Sequence, residues 1–301
     1  EGYTLNQVVT NQDSLYTGFD TVLVDEQLVD QFYAEKEVFL PDEHNFHPNQ
    51  FVMLVSSSNE KKTALARYLS KERPLKRLHE VDKRGIWGVK ARNKEQQFAL
   101  DLLMDPSVQI VTLIGKAGSG KTLCAIAAGI EQIMENSNHS KELRYDRMIV
   151  SRPVQPLGKD IGFLPGTLEE KMKPWLMPIQ DNLQYLMSDK ITLEMYMESG
   201  QIEIEALTYI RGRSIANAFI VIDEAQNLTN HELKTIITRV GEGTKIVFTG
   251  DVEQIDNAYI DETTNGLTNA VEKFKEYDIS GHVTLHRGER SKVATLAAKI
   301  L

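Results

Sequence analysis

Gly115-Lys116-Ala117-Gly118-Ser119-Gly120-Lys121-Thr122 follows the apolar run Ile110-Val111-Thr112-Leu113-Ile114 and opens a helical pattern, Leu123-Cys124-Ala125-Ile126-Ala127-Ala128. Strand, G-x-x-x-x-G-K-T, helix is the context in which such a string cradles a nucleoside triphosphate. The glycines let the backbone curl so that several N–H groups face one anion, and the helix start adds its positive end. Lys121 can reach the β- and γ-phosphates, and the Thr122 hydroxyl can ligate Mg²⁺. A glycine-rich turn that binds nothing needs neither flank.

A second string, Phe219-Ile220-Val221-Ile222-Asp223-Glu224-Ala225-Gln226, is a buried-strand pattern with two acids at its end. Ligands of open α/β sheets gather at the carboxyl ends of strands, so both acids are expected at the phosphates. Asp223 is the expected acidic partner of Thr122 at Mg²⁺, and Glu224 is free to orient or deprotonate a water. The alternative is an ordinary acidic helix start.

Two further strings complete the candidate site. Lys245-Ile246-Val247-Phe248-Thr249-Gly250-Asp251-Val252-Glu253-Gln254 is another apolar run ending in polar groups. There Thr249 and Gln254 can sense the γ-phosphate and Asp251 can hold the loop; a plain strand-to-helix turn is the alternative. In Arg287-Gly288-Glu289-Arg290-Ser291, an arginine, Arg290 or Arg287, can neutralise γ-phosphate charge in its own chain or a neighbour's. Upstream, the N-x-x-Q spacing of Asn93 and Gln96 makes Gln96 the first candidate to read an adenine edge, and Gln97 the second.

Ser151 to Gly166 and Tyr209 to Ser214 read as loops beside these strands. Arg152, Lys159, Arg211 and Arg213 can contact nucleic-acid phosphates, and Phe163 or Tyr209 can stack on a base. The same residues also suit structural loops or a subunit interface.

The elements that must position these groups follow from pattern. From about residue 93, helix and strand alternate. Strands are expected at 110–114, 148–151, 202–206, 219–222, 246–249 and 283–285. Helices are expected near 94–104, 121–135, 167–187, 191–198, 230–240, 265–276 and 290–300. Such alternation predicts an α/β fold, a parallel sheet covered on both faces. Residues 1–70 read as a small, mostly β, barrel-like domain, with β-type runs at 21–24, 38–40 and 51–55 and a short helix at 28–33. Residues 71–92 form a basic connector, with Trp87 either stacking a base or packing on the next domain. Residues 93–301 are then the catalytic domain.

Bulk properties narrow the class. With 301 residues, 41% hydrophobic and 26% charged, the chain can build a sizeable core. A net charge of −9 argues against blanket binding of nucleic acid but leaves room for a local track. No stretch reaches a membrane span, and there is no zinc-type spacing. One cysteine, Cys124, fits a reducing cytoplasm and reads as a buried small side chain. Glu1 in place of an initiating Met suggests a piece of a longer chain.

Together these strings resemble the PhoH family of ATPases. The phosphate loop, Ser151-Arg152-Pro153-Val154 with Gly158-Lys159-Asp160-Ile161-Gly162-Phe163-Leu164-Pro165-Gly166, Ile210-Arg211-Gly212-Arg213, Asp223-Glu224-Ala225-Gln226-Asn227 and Thr249-Gly250-Asp251 carry the likeness. It covers about residues 92–301 and implies a P-loop NTPase domain, RecA-like and similar to the first motor domain of superfamily-one helicases. Leu15-Tyr16-Thr17-Gly18, Pro48-Asn49-Gln50-Phe51 and the stretch from Trp87 to Gln96 are similar to PhoH proteins that carry an upstream PIN nuclease domain. The PIN acids are absent here. The resemblance implies ATP and Mg²⁺ as cofactors, single-stranded RNA as partner (DNA being the alternative), and a homo-oligomeric ring, suspected to be a hexamer. The expected function is ATP hydrolysis coupled to RNA unwinding. A slow ATP-gated binding module and a small-molecule kinase are the competing readings, and the Asp223-Glu224 pair argues against the kinase.

Overall fold

A computed structural model of the protein describes residues 15–41, 43–134, 144–153, 168–210, 213–256, 260 and 265–286, with isolated positions beyond; 168–173 and 209 are described in backbone alone. Six strands, the central ones apolar runs, form a wholly parallel sheet among the described residues: β5 (Ile110–Gly115), β6 (Arg147–Arg152), β7 (Ile202–Ala206), β8 (Ala218–Ile222), β9 (Lys245–Gly250) and β10 (Ser280–Leu285). Their order is β10-β5-β9-β8-β6-β7. Every residue of β5, β8 and β9 is buried, as a sheet covered on both faces requires.

Helices α2 (Lys94–Met104), α3 (Lys121–Ile133), α4 (Leu168–Met187) and α5 (Lys190–Glu198) cover one face together with the larger core cluster. The short α6 (Leu207–Ile210), α7 (Asn230–Ile237) and α8 (Gly266–Phe274) join a second cluster around Ile149, Ile220, Ile222 and Phe248. α3 is buried around almost its whole circumference and lies between sheet and helices. Gly129 permits that depth: a Cβ there would sit 2.4 Å from Met148 Sδ and 2.8 Å from Phe219 Cδ1.

Before this sheet lies a smaller one, β1 (Phe19–Val24), β2 (Phe51–Ser56), β3 (Thr63–Arg67) and β4 (Lys76–Arg77) in that order, with α1 (Glu26–Tyr33) against it. β1 and β2 are parallel and the remaining pairs antiparallel. The barrel-like expectation resolves, among the described residues, into this four-stranded sheet. Residues 38–40 are not a strand. Pro41 ends the run without an N–H to donate, and the Val38 carbonyl accepts instead from Leu75 N–H at 2.8 Å. β4 lies inside the basic segment 71–92, whose charges are partly committed. Lys76 Nζ lies 2.8 Å from Asp105 Oδ2, and the Arg77 guanidinium stands over the Phe32 ring at 4.5 Å.

The two sheets are joined by buried polar groups. Arg67 Nη1 donates to Asp101 Oδ2 at 2.7 Å and Nη2 pairs with Asp105, both acceptors coming from α2 and its end. Burial opposes charge on Asp105, yet Lys76, Ser107 and Arg67 together hold its carboxyl far below the ordinary range. On the far side, Asn49 Nδ2 donates to the carbonyls of Asp278 and Ser280, each at 2.8 Å. Gly18 (φ 76°) passes so close to His282 that a Cβ would lie 1.9 Å from its carbonyl oxygen.

Candidate nucleotide site

The phosphate loop leaves the end of β5 and enters α3. Gly118 and Gly120 adopt φ of 84° and 85°, a region glycine alone occupies without steric cost, and Gly120 caps α3. Lys121, largely buried, rests its Nζ 3.4 Å from the Lys116 carbonyl, a long contact. Lys116 Nζ pairs with Glu253 at 2.8 Å, which ties the loop to the segment after β9.

The carboxyl ends of β5, β8 and β9 meet at one carboxylate oxygen. Thr122 Oγ1 donates to Asp223 Oδ1 at 3.1 Å, and Thr249 Oγ1 donates to the same oxygen at 2.8 Å. The Asp223 N–H donates to the Ser151 carbonyl at the end of β6. Strand order explains the convergence, since β5, β9, β8 and β6 are consecutive neighbours. Glu224 follows in a left-handed conformation, φ 55°. A non-glycine residue rarely takes it, and such strain concentrates at functional positions.

Gln226 organises the rest and was not singled out as a site residue by sequence. It is fully buried in the short 3₁₀ turn Ala225–Asn227. Its Nε2 donates to Glu224 Oε2 at 2.6 Å and to the Gln254 carbonyl at 3.0 Å; its Oε1 accepts from Asp251 N–H at 3.1 Å. Its place within Asp-Glu-Ala-Gln was the available signal. Gly250 makes room for it, as a Cβ there would sit 2.7 Å from Gln226 Oε1. The Gln254 side chain is exposed, and its backbone is what the site grips.

Gln96, the expected reader of an adenine edge, lines the cavity beside the phosphate loop and is held there by hydrogen bonds. Asn93 caps α2 by accepting from Gln96 N–H at 2.9 Å, so the N-x-x-Q spacing here is helix-capping chemistry. The Gln96 amide is engaged at both ends. Oε1 accepts from Arg92 N–H at 2.8 Å and Nε2 donates to the Ser119 carbonyl at 3.0 Å. Gln96 therefore ties the start of α2 to the phosphate loop.

A cavity of about 950 Å³ opens from the loop, lined by Gly118, Lys121 and Thr122 at one end and by Trp87, Asn182 and Tyr185 at the other. Trp87 packs rather than standing free, its Nε1 donating to the Leu186 carbonyl at 2.9 Å. Cys124 also lines it, with a thiol that burial pushes up to about 12, so it is no nucleophile.

Two nucleic-acid candidates are paired within the chain. Arg213 Nη1 lies 3.2 Å from Glu203 and 3.1 Å from Glu205 on β7. Arg152 Nη2 lies 3.2 Å from Glu224 Oε1. Lys159, Phe163, Arg211, Arg287 and Arg290 lie outside the described residues, as does the side chain of Tyr209. Among the described residues no helix is long and apolar enough to cross a membrane.

Comparison with known proteins agrees with this geometry. Residues 88–300 match the family described as PhoH-like protein. Protein PhoH2 of Bacillus subtilis (strain 168) is 47% identical over 302 residues, covering 99% of this chain and 67% of that protein. Protein PhoH2 of Mycolicibacterium smegmatis is 36% identical, covering 95% and 62%. That of Thermobispora bispora is 40% identical, covering 72% and 48%. The chain thus spans between about half and two thirds of the length of these relatives. With its phosphate loop, parallel sheet and shared Asp223, the chain belongs to the PhoH family of P-loop NTPases.

Proposed function

We propose that this chain is a Mg²⁺-dependent ATPase that couples hydrolysis to binding and unwinding of single-stranded RNA. It would work as a cytoplasmic homo-oligomeric ring, a hexamer by resemblance, and as the motor half of a protein bearing an upstream PIN nuclease. The convergence of Thr122 and Thr249 on Asp223 carries the reading, because it joins the phosphate loop to two strand ends in one cleft. The cavity volume falls within the ~300–1,000 Å³ of small-molecule sites. ATP would lie with its phosphates on residues 115–122 and its base toward Trp87 and Tyr185.

The donor set fits Mg²⁺. One hydroxyl and one carboxylate are hard oxygen ligands, and Mg²⁺ commonly takes few protein ligands beside substrate phosphates. Thr122 would hold it with Asp223 behind, and when bound it would neutralise phosphate charge. The chain's own groups do the rest. Lys121 pairs the β- and γ-phosphates. Glu224 accepts a proton from a water whose oxygen bonds to the γ-phosphorus. The bond to the β,γ-bridging oxygen breaks and ADP leaves with that electron pair, giving inorganic phosphate. Arg290 or Arg287 would offset charge on the transferring group. The region around Gln254 would report that the γ-phosphate has gone.

The committed carboxylate of Glu224 favours a second reading, a slow ATP-gated module that binds nucleic acid without separating strands. ATPase rate with and without single-stranded RNA and DNA, beside mass in solution and a duplex-unwinding assay, separates the two. Acceleration by RNA with unwinding supports the motor. Nucleotide-dependent RNA affinity without unwinding supports the gated module, and no response to any strand in an assembled sample rejects both.

A further inference from the structure

Each carboxylate oxygen of Glu224 has a partner, an ion pair at Oε1 and a hydrogen bond at Oε2. Arg152 holds Oε1 at 3.2 Å and Gln226 holds Oε2 at 2.6 Å. A guanidinium against one oxygen and an amide on the other leave an attacking water fewer open directions at the carboxylate.

Arg152 is built to hold that position. It ends β6, the strand beside β8, one step beyond the Ser151–Ile222 pairing, so it stands next to the segment that carries Glu224. Its other nitrogen, Nη1, donates to the Trp175 carbonyl of α4 at 3.0 Å. Trp175 lies between Pro174 and Pro178 inside that helix. Pro178 lacks the N–H that would bond the Pro174 carbonyl and kinks the helix beside Trp175, whose own carbonyl takes the outside donor. One guanidinium therefore ties a strand end, a proline-interrupted helix and the water-activating candidate. Side-chain exposures of 21% for Arg152 and 24% for Glu224 leave the pair reachable by a polyanion.

We propose that Arg152 is a latch on Glu224, closed in the strand-free chain and opened when a nucleic-acid phosphate takes the guanidinium. The exchange replaces one charge-assisted pair with another, so the arginine is never stranded without an anion. Glu224 Oε1 is then free to receive the proton of the water. Strand occupancy thereby sets hydrolysis rate through one side chain. The latch deepens the proposed function and rests on its assignment of Glu224 and of a single-stranded partner.

The test measures kcat and KM for ATP in Arg152→Ala, Arg152→Gln and Arg152→Lys, with and without oligouridylate. Basal kcat should rise roughly fivefold in the Ala and Gln variants, the factor corresponding to ~1 kcal/mol for a partly exposed ion pair, with KM little changed. Arg152→Lys, a single charged donor in place of a fork, should give a smaller rise. Acceleration by oligouridylate should fall toward none. The slope of log affinity against log salt should lose ~0.7, one single-strand phosphate contact, which a merely structural role would not move. Thermal melting of each variant identifies any loss of fold from the missing Trp175 contact, and the Lys variant keeps the question answerable if the smaller side chains unfold. A basal kcat that falls, or stays level with acceleration intact, overturns the latch alone. A wild type that no strand accelerates overturns the phosphate exchange together with the motor. Normal turnover by Glu224→Gln removes the assignment of Glu224 on which the latch stands.

Discussion

At the scale of single residues, the site contrasts groups meant to meet phosphate with groups that hold them. In the proposed mechanism Lys121 meets phosphate and Glu224 meets the attacking water. Lys121→Ala should abolish nucleotide binding in a fluorescent-nucleotide titration. Glu224→Gln should bind ATP normally while turnover falls about 10²-fold or more, as loss of a general base does. Gln226 is of the second kind, a positioning residue with three hydrogen bonds and no exposed surface. Gln226→Ala leaves the Gln254 carbonyl and the Asp251 N–H without their partner. Stability should drop by about 1–3 kcal/mol in urea titration. Turnover should fall by roughly 10–100-fold with KM nearly constant, because the displaced groups are those facing the reaction rather than the bound nucleotide.

Elements place those residues. α3 carries Lys121 and Thr122 on its first turn and can do so because its small side chains let it sink against β6 and β8. Gly129→Val would drive a branched side chain into Met148 and Phe219. Overpacking of this sort costs about 1–3 kcal/mol, so thermal melting should shift down while the order of nucleotide preference is retained. The same scale shows which elements pattern can reveal. β5, β8 and β9 of the large sheet are near-continuous apolar runs and β7 alternates apolar with acidic residues, so both kinds are legible in the pattern. β3, Thr63-Ala64-Leu65-Ala66-Arg67, has no such run and becomes a strand through pairing with β2. β4 is two lysine-arginine residues held by β3.

The molecule as a whole is two sheets joined by buried charge on one side and by the Asn49 amide on the other. Arg67 is almost entirely buried between Asp101 and Asp105. Arg67→Ala would leave Asp101 buried without its cation and should cost about 3–5 kcal/mol, read as a lower urea midpoint. His282 is buried between Thr112 Oγ1 at 2.7 Å and Thr284 Oγ1 at 2.9 Å, beside the Tyr16 ring. Burial pushes its pKa down to about 4, below the ordinary 6.5. The unfolded chain therefore binds a proton that the folded chain refuses between those values. Stability is then full above pH ~6.5 and falls as pH drops toward 4, by about 3 kcal/mol for this group. Unfolding midpoints of wild type and His282→Gln across that window should converge at the acid end. Asp105, held low by Lys76 and Arg67, contributes its own acid loss at still lower pH, which keeps the two effects apart.

The sequence alone determined the chemistry on offer. Glycine spacing, Lys121-Thr122, and Asp223-Glu224 after an apolar run are local patterns, and local patterns are set by backbone sterics and residue type. Tertiary structure decided who holds whom. Strand order laid Arg152 beside Glu224 across 72 positions of chain, and packing of α2 against the loop gave the Gln96 amide to the Ser119 carbonyl. Pairings of that kind depend on which strands become neighbours, and neighbourhood is a property of the whole sheet, fixed by burying every strand at once.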